Sequence, residues 1–320
     1  MSLQLPESGK TLAVNVDIDG LRFYRQIHGL AKAKTGKDPI WEHGVPRFIE
    51  FFADLNLRAT FFVIAEDLVP KSKGGAAPSI KEAQRRKSLL RSMRKAGHEI
   101  ASHSFAHDYA LSRGHYREIY ADLERAKSTL SEVCGEEVTG FRAPGYNLSP
   151  ALISAITETG YHYSSSRFPS PPYFLAKWAT MAGMAMLGRS SGAIRGEILA
   201  PLSSRSPYQH DSGLWELPMS VVPLLRLPAI GTFFTLYGDK GQSLLLPLLK
   251  SENWLNIEFH AIDLLDLSDL PLEDPLGSSQ PDLAKPGGDK KSIFLRWLGE
   301  LSTSHENRTL AEVTEGLASE

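Results

Sequence analysis

The sequence predicts an α/β protein built on a parallel sheet or barrel, and three observations carry that expectation. Short apolar runs alternate with segments of helical period through the first half of the 320-residue chain. One of these runs, residues 59–65 (ATFFVIA), is continuously apolar, as a strand buried on both faces is. The polar residues capable of chemistry, Asp17 and Asp19, His103 and His107, Arg142, and His260, fall at the ends of such runs. Parallel β/α architectures build their sites at the C-terminal ends of strands.

Taken in order, residues 11–16 read as a first strand that ends on acidic residues. Residues 45–56 (VPRFIEFFADLN) place Val45, Phe48, Ile49, Phe52 and Leu55 on one helical face. The strand at 59–65 follows. Residues 80–96 form a Lys/Arg-rich helix stopped by Gly97, with a strand at 98–102 behind it. Ile119, Leu123, Ala126, Leu130 and Val133 mark the next helix, stopped by Gly135. Residues 138–141, 150–159 and 161–164 continue the alternation, and residues 215–218 (WELP) read as a further barrel strand. Residues 271–290, rich in Pro and Gly, read as a long loop before a last helix at 292–301. Residues 22–41 and 169–207 interrupt the pattern and read as insertions over the barrel mouth. The expected organisation is an N-terminal arm (1–10), one barrel domain (11–265), and a C-terminal loop and helices (266–320) packed on it.

Composition narrows the function classes. With 42% hydrophobic residues the chain can bury a substantial core. Lys and Arg number 35 against 37 Asp and Glu, a formal net charge of -2, so nothing calls for nucleic acid or an acidic polymer as partner. The single cysteine, Cys134, excludes an internal disulfide and a multi-cysteine zinc site and suits a reducing compartment. No run reaches the roughly 18 apolar residues of a membrane-spanning helix. The start, MSLQLPESGK, lacks a basic stretch followed by an apolar core, so no signal peptide is expected and the cytoplasm is the default location.

Four short motifs carry chemistry. In VNVDIDG (14–20), an extended backbone points Asp17 and Asp19 to the same face. Two such carboxylates share a cation, or one binds it while the other moves protons; Asp-Gly is also a turn signal. In HSFAH (103–107), two histidines four apart on one helical turn offer both imidazoles to one ion. Two histidines plus a carboxylate make a facial metal site with open positions. FRAPGY (141–146) pairs an arginine, able to keep a neighbouring carboxylate ionised, with a Pro-Gly step that lets a backbone N–H approach a ligand. IEFHAID (257–263) is an apolar run ending in a histidine, which taken alone reads as a satisfied core residue.

Together, in this order and with the longer contexts GHEIASHSFAH, GFRAPGYNLS, GLWELPMS and IEFH, the motifs resemble the polysaccharide deacetylase family. That family is also called the NodB-homology domain or carbohydrate esterase family four. The resemblance covers residues 11–265. It implies a distorted (β/α) TIM-like barrel and a hydrolase of non-peptide C–N bonds that removes an N-acyl group, acetyl or formyl, from an amino-sugar-containing substrate. It further implies one divalent metal, zinc or another ion such as cobalt, held by Asp19, His103 and His107. By the same resemblance Asp17 is the general base kept ionised by Arg142. Gly145, with Tyr146 beside it, faces the acyl oxygen, and His260 is the general acid.

Three departures from the family pattern matter. Ile18 separates two aspartates that most members have adjacent. This DxD spacing is similar to that of lipid-linked sugar deformylases and of allantoinase-like or imidase-like members, and leaves open which of Asp17 and Asp19 is the ligand. Ser164 stands where many relatives have the aspartate that orients the acid histidine. His260 is therefore expected to deprotonate more easily than in those relatives, unless Asp263 or Asp266 substitutes. Residues 173–187 (YFLAKWATMAGMAML) form an apolar insertion readable as a buried helix, a lid, or a peripheral membrane surface meeting a lipid-linked substrate. A non-catalytic glycan-binding relative is the remaining alternative, disfavoured by retention of all six polar site residues.

Overall fold

The computed structural model describes residues 9–31, 37–70, 78–186 and 200–319. At its centre β1 (Thr11–Ile18) is buried at every position, because it has a partner on both edges. On one edge β10 (Trp254–His260) runs parallel to it from Thr11↔Trp254 to Asp17↔His260. On the other, β2 (Thr60–Val63) begins only opposite Asn15, so the first residues of β1 pair instead with the short β11 (Glu306–Asn307). The sheet continues through β3 (Glu99–Ser102), β4 (Gly140–Phe141), β5 (Tyr163–Ser164) and β7 (Trp215–Glu216), all parallel. The antiparallel β6 (Tyr208–Gln209) closes the edge. Beyond β7 the chain is irregular, yet it meets β10: Ser220 N–H donates to the Asn256 carbonyl at 2.9 Å and Asn256 N–H to Ser220 Oγ at 2.7 Å. Individual hydrogen bonds thus replace a ladder here, and the result is a curled, distorted (β/α) barrel. A separate hairpin, β8 (Val221–Val222) with β9 (Leu227–Pro228), follows.

The helices cover the outside. α1 (Leu21–Ile27) leads from β1, and α2 (Val45–Asp54) buries Val45, Phe48, Phe51 and Phe52. Those rings pack against Phe61, Phe259 and Phe294 at centroid distances of 5.0–6.4 Å within the cluster. α3 (Ile80–Lys95) starts on a reciprocal cap between Ser79 and Glu82, each satisfying a free N–H of the other's turn. α4 (Tyr116–Cys134) buries the five residues that the helical period selects and stops at Gly135, whose φ of 74° suits glycine. α5 (Pro150–Glu158), α6 (Pro171–Met186), α7 (Gly231–Ser251), α8 (Pro275–Ser279), α9 (Gly287–Ser302) and α10 (Leu310–Ala318) complete the set.

The structure departs from the sequence reading where local signals conflict. α7 escapes periodicity because Gly238 (φ 60°) kinks it and Pro247 interrupts it. The stretch at 271–290 is not one long loop: it holds α8, a 3-10 turn at Pro281–Ala284 and the first turn of α9. Nor is α9 the last helix, since α10 follows on a Thr309–Glu312 capping box. The insertion at 22–41 contains α1, with residues 32–36 outside the described ones; that at 169–207 contains α6, with residues 187–199 likewise outside. α6 is partly buried, with Phe174 covered and Leu175 exposed. No helix among the described residues is long and apolar enough to cross a membrane.

One glycine is tightly constrained. A Cβ on Gly140 would lie 2.2 Å from the Tyr163 hydroxyl, which donates to buried Glu99 at 2.7 Å. Gly140→Ala is therefore expected to destabilise the fold by about 1–3 kcal/mol through overpacking. Urea unfolding measures this; a midpoint equal to the parent's would show that Tyr163 yields without cost.

Candidate active site

Asn15, Asp17 and Asp19 alternate along β1 and just past it, so all three face the barrel interior. Arg142 enters from the end of β4, wholly buried. Its Nη1 donates to Asp17 Oδ1 and to Asn15 Oδ1, both at 2.6 Å. Its Nε donates to the Ser165 carbonyl at 2.7 Å, its Nη2 to Ser165 Oγ at 2.9 Å, and the guanidinium lies 4.0 Å over the Phe62 ring. Burial alone would raise the Asp17 pKa, but the charges of Arg142, His103 and His260 outweigh it and hold the carboxyl below its ordinary value of 3.8.

The two histidines of HSFAH do not lie on a helical turn. They flank an irregular loop in which Ser104 and His107 have φ of 65° and 53°. The loop is tied by Ser104 Oγ, which accepts from His107 N–H at 2.8 Å. Asp122 of α4 also takes the N–H groups of Phe105 and Ala106 at 2.8 and 3.1 Å. The tight loop brings the two Nε2 atoms to 3.1 Å from each other. Asp19 Oδ1 lies 3.4 Å from His103 Nε2 and 3.5 Å from His107 Nε2. His103 Nδ1 is 2.9 Å from the Arg142 carbonyl, an oxygen that can only accept, so Nδ1 carries the proton and Nε2 offers its lone pair. His107 is wedged between the rings of Phe23 (4.3 Å) and Tyr109 (4.9 Å).

These donors fit a divalent ion. Asp19 Oδ1 is buried with no hydrogen-bond partner among the described residues, and two imidazole nitrogens converge on it. Burial raises the Asp19 pKa, and burial followed by the charge of His103 pushes His107 well below its ordinary value. That leaves His107 neutral, the form that binds metal. A second cluster, Asp17, Glu258 and His260, also has ligand atoms close together, but Arg142 Nη1 already stands 2.6 Å from Asp17 and 3.5 Å from Glu258. There the protein supplies its own cation.

His260 ends β10, its side chain 22% exposed. The side chains expected to bear on the His260 ring are engaged elsewhere. Ser164 Oγ bonds Ser166 Oγ at 2.8 Å, Asp266 caps Ser268 N–H, and Asp263 takes the backbone N–H of His260. The group facing the ring is Glu258, with Oε1 3.9 Å from His260 Nε2. Burial would lower the His260 pKa, but Glu258, Asp17, Asp19 and Asp263 together raise it to about 9. His260 thus holds its proton more tightly than an ordinary histidine. Glu258 itself is raised to about 8 by burial and by Asp17, against the pull of Arg142 and His260. The sequence reading missed Glu258, although the period-two rule that joins Asp17 to Asp19 also joins Glu258 to His260.

Gly145 and Tyr146 both have φ of 63°. A Cβ on Gly145 would meet the Tyr109 ring at 3.0 Å, so the turn brings backbone close to the site. The Tyr146 hydroxyl donates to Glu258 Oε1 at 2.6 Å. Lys177 of α6 reaches over the same turn and donates to the Gly145 carbonyl at 3.3 Å. Glu216 stays apart from the cluster, accepting the N–H groups of Ser166 and Arg167 at 2.7 and 2.8 Å.

Residues 37–164 match the family model for polysaccharide deacetylase, a stretch that holds His103, His107, Arg142, Gly145 and Tyr146. They are a polysaccharide deacetylase domain. The chain is accordingly a hydrolase of the amide C–N bond class. Among solved structures, the fold is similar to a Mycobacterium smegmatis protein assigned to the polysaccharide deacetylases, at 18% identity and a TM-score of 0.55, covering 99% of this chain and 93% of that one. It is also similar to PuuE allantoinase, at 14% identity and a TM-score of 0.57, covering 98% and 92%. A Pseudomonas aeruginosa protein assigned to the polysaccharide deacetylases matches at 14% and 0.57, covering 97% and 91%. At such identities the likeness is one of fold.

Removing the buried guanidinium strands Asp17. Arg142→Met is expected to cost about 3–5 kcal/mol near neutral pH. Asp17 has a lowered folded pKa, so its stabilising contribution is present above pH 3.8 and lost as pH falls below it. The gap between parent and variant should therefore narrow in acid. Denaturant unfolding at pH 7 and at pH 3.5 tests this, and a gap that widens in acid would contradict the assignment.

Proposed function

We propose that the deacetylase domain hydrolyses an N-acyl group, acetyl or formyl, on an amino-sugar-containing substrate, using one divalent metal held by Asp19, His103 and His107. The observation that carries this reading is the convergence of Asp19 Oδ1 with two imidazole Nε2 atoms beside the buried Asp17–Arg142 pair. A bound zinc or similar ion would lower the pKa of a coordinated water and polarise the acyl oxygen.

The remaining work belongs to the chain's own groups. Asp17, held ionised by Arg142, takes the proton of the attacking water as general base. The N–H of half-buried Gly145, beside Tyr146 in the turn, donates to the acyl oxygen, an interaction worth about 10²–10³ in rate. His260, protonated at neutral pH, gives its proton to the departing amine. Phe23 of α1 packs on His107 and Tyr173 of α6 on Tyr146, which places apolar surface beside the site. A lipid-linked sugar as substrate rests on the DxD spacing and on the apolar α6, and a cyclic amide is the alternative that the same spacing brings.

Release of acetate and formate from chitooligosaccharides, peptidoglycan fragments and polyprenyl-linked N-acyl amino sugars, with allantoin as the cyclic amide, tests the reading. Inactivity on every N-acyl sugar with turnover of allantoin would overturn it. Two variants separate the roles. Zinc-grown His107→Ala should lose the ion by elemental analysis. Asp17→Asn should keep zinc while kcat falls by about 10²–10⁴. If Asp17→Asn loses zinc and Asp19→Asn retains it, the two aspartates exchange roles.

A further inference from the structure

Glu258 is an acid with no assigned task. It lies on β10 two residues before His260, so both side chains project into the barrel, and it is completely buried. One oxygen, Oε1, accepts from the Tyr146 hydroxyl at 2.6 Å. The same hydroxyl lies 3.4 Å from His260 Nε2, and Oε1 itself is 3.9 Å from that nitrogen. The other oxygen, Oε2, has no partner among the described residues. Burying a carboxylate costs several kcal/mol unless its surroundings compensate, so its retention needs a reason.

Serving as a counter-ion for Arg142 does not supply one. The guanidinium already donates to Asn15, Asp17, the Ser165 carbonyl and the Ser165 hydroxyl, and Glu258 stands at 3.5 Å, beyond a good hydrogen bond. Besides Arg142 and Asp17, Glu258 faces the ring of His260, with Oε1 3.9 Å from Nε2. The charges of Asp17 of β1, Asp19 just past it and Asp263 (committed to the backbone) also act on that ring, it acts in turn on His107 across the site, and the edge of Tyr24 of α1 stands 6.5 Å away.

We propose that Glu258, acting through the Tyr146 hydroxyl, is the positioning residue of His260: it fixes the Nε2 edge of the ring and retains its proton. This rests on the proposed role of His260 as the acid, and it identifies the acidic side chain that Ser164 does not provide. Tyr146 acquires a second duty beside its turn. Its hydroxyl spans the gap between two side chains that do not touch directly. The strongly raised His260 pKa, with Glu258 the foremost of the charges that raise it, agrees with the geometry.

The test reads His260 directly. In the zinc-loaded full chain carrying ¹³C-labelled histidine, the His260 signal, identified by its loss in His260→Asn, is titrated in the parent, Glu258→Gln, Glu258→Asp and Tyr146→Phe. Glu258→Gln should lower the proton affinity of His260 about tenfold or more, one pKa unit, with zinc content unchanged. Glu258→Asp should keep the larger part of the parent value, and Tyr146→Phe should lower it by roughly threefold. With an active substrate, the basic limb of the kcat–pH profile should move down in the same order while KM changes little. An unchanged His260 titration in Glu258→Gln overturns the proposal, as does loss of zinc in that variant. Should Glu258→Gln not fold, an unshifted titration in Tyr146→Phe overturns it instead. If the titration shifts as expected but no N-acyl substrate is turned over, the positioning role stands and the proposed function falls.

Discussion

Arg142 is the residue on which the rest of the site depends. Its side chain neutralises Asp17 inside the barrel, and its carbonyl accepts from His103 Nδ1, which fixes the tautomer of that histidine. One residue at the end of β4 therefore sets both the charge state of Asp17 and the orientation of His103. The arrangement is costly in isolation, since a buried guanidinium must have its donors satisfied. Asn15, Asp17 and Ser165 provide that satisfaction from β1 and from the segment after β5. The ion pair is consequently a constraint on three strands at once, and it explains why the interior here is polar although the surrounding cluster is aromatic.

The charges of the interior explain the shifts around it. Three carboxylates, Asp17, Asp19 and Glu258, share the space with one guanidinium. Two consequences follow from that imbalance. The unpartnered oxygen of Asp19, facing two imidazole nitrogens, fits a divalent cation, and the negative surroundings favour the protonated form of His260. Under the proposed function, two regions of the barrel mouth answer the same deficit by different means, one with a metal and the other with a proton.

The insertions place apolar walls around this polar centre. Phe23 of α1 closes one side of His107, and Tyr173 and Phe174 of α6 pack with Tyr146, Phe168 and Met219. Lys177, whose pKa burial pushes down to about 8, lies over Gly145 without a carboxylate partner among the described residues. The substrate entrance is thereby shaped by segments that the alternation of strands and helices does not include.

Much of this was legible in the chain because it depends on local period. Alternation along β1 places Asp17 and Asp19 on one face, the spacing of Ile119 to Val133 marks the buried side of α4, and the β–α rhythm implies a parallel barrel. Other features were not legible because they depend on contacts between distant segments. HSFAH carries a helical spacing, yet Asp122 of α4 and the Ser104 hydroxyl bend it into a loop with two positive φ angles. A glycine and a proline hide α7, which tertiary packing on β10 and α9 holds together despite them. Glu258 was open to the period-two rule, but a charged residue in an apolar run acquires meaning only when Tyr146, 112 residues away in sequence, is known to touch it. Sequence by itself determined the fold class, the DxD and two-histidine pairs and the arginine. The tertiary structure decided which oxygen is left unpaired, which acid faces His260 and which nitrogen is free, because hydrogen-bond partners and burial are properties of the folded interior.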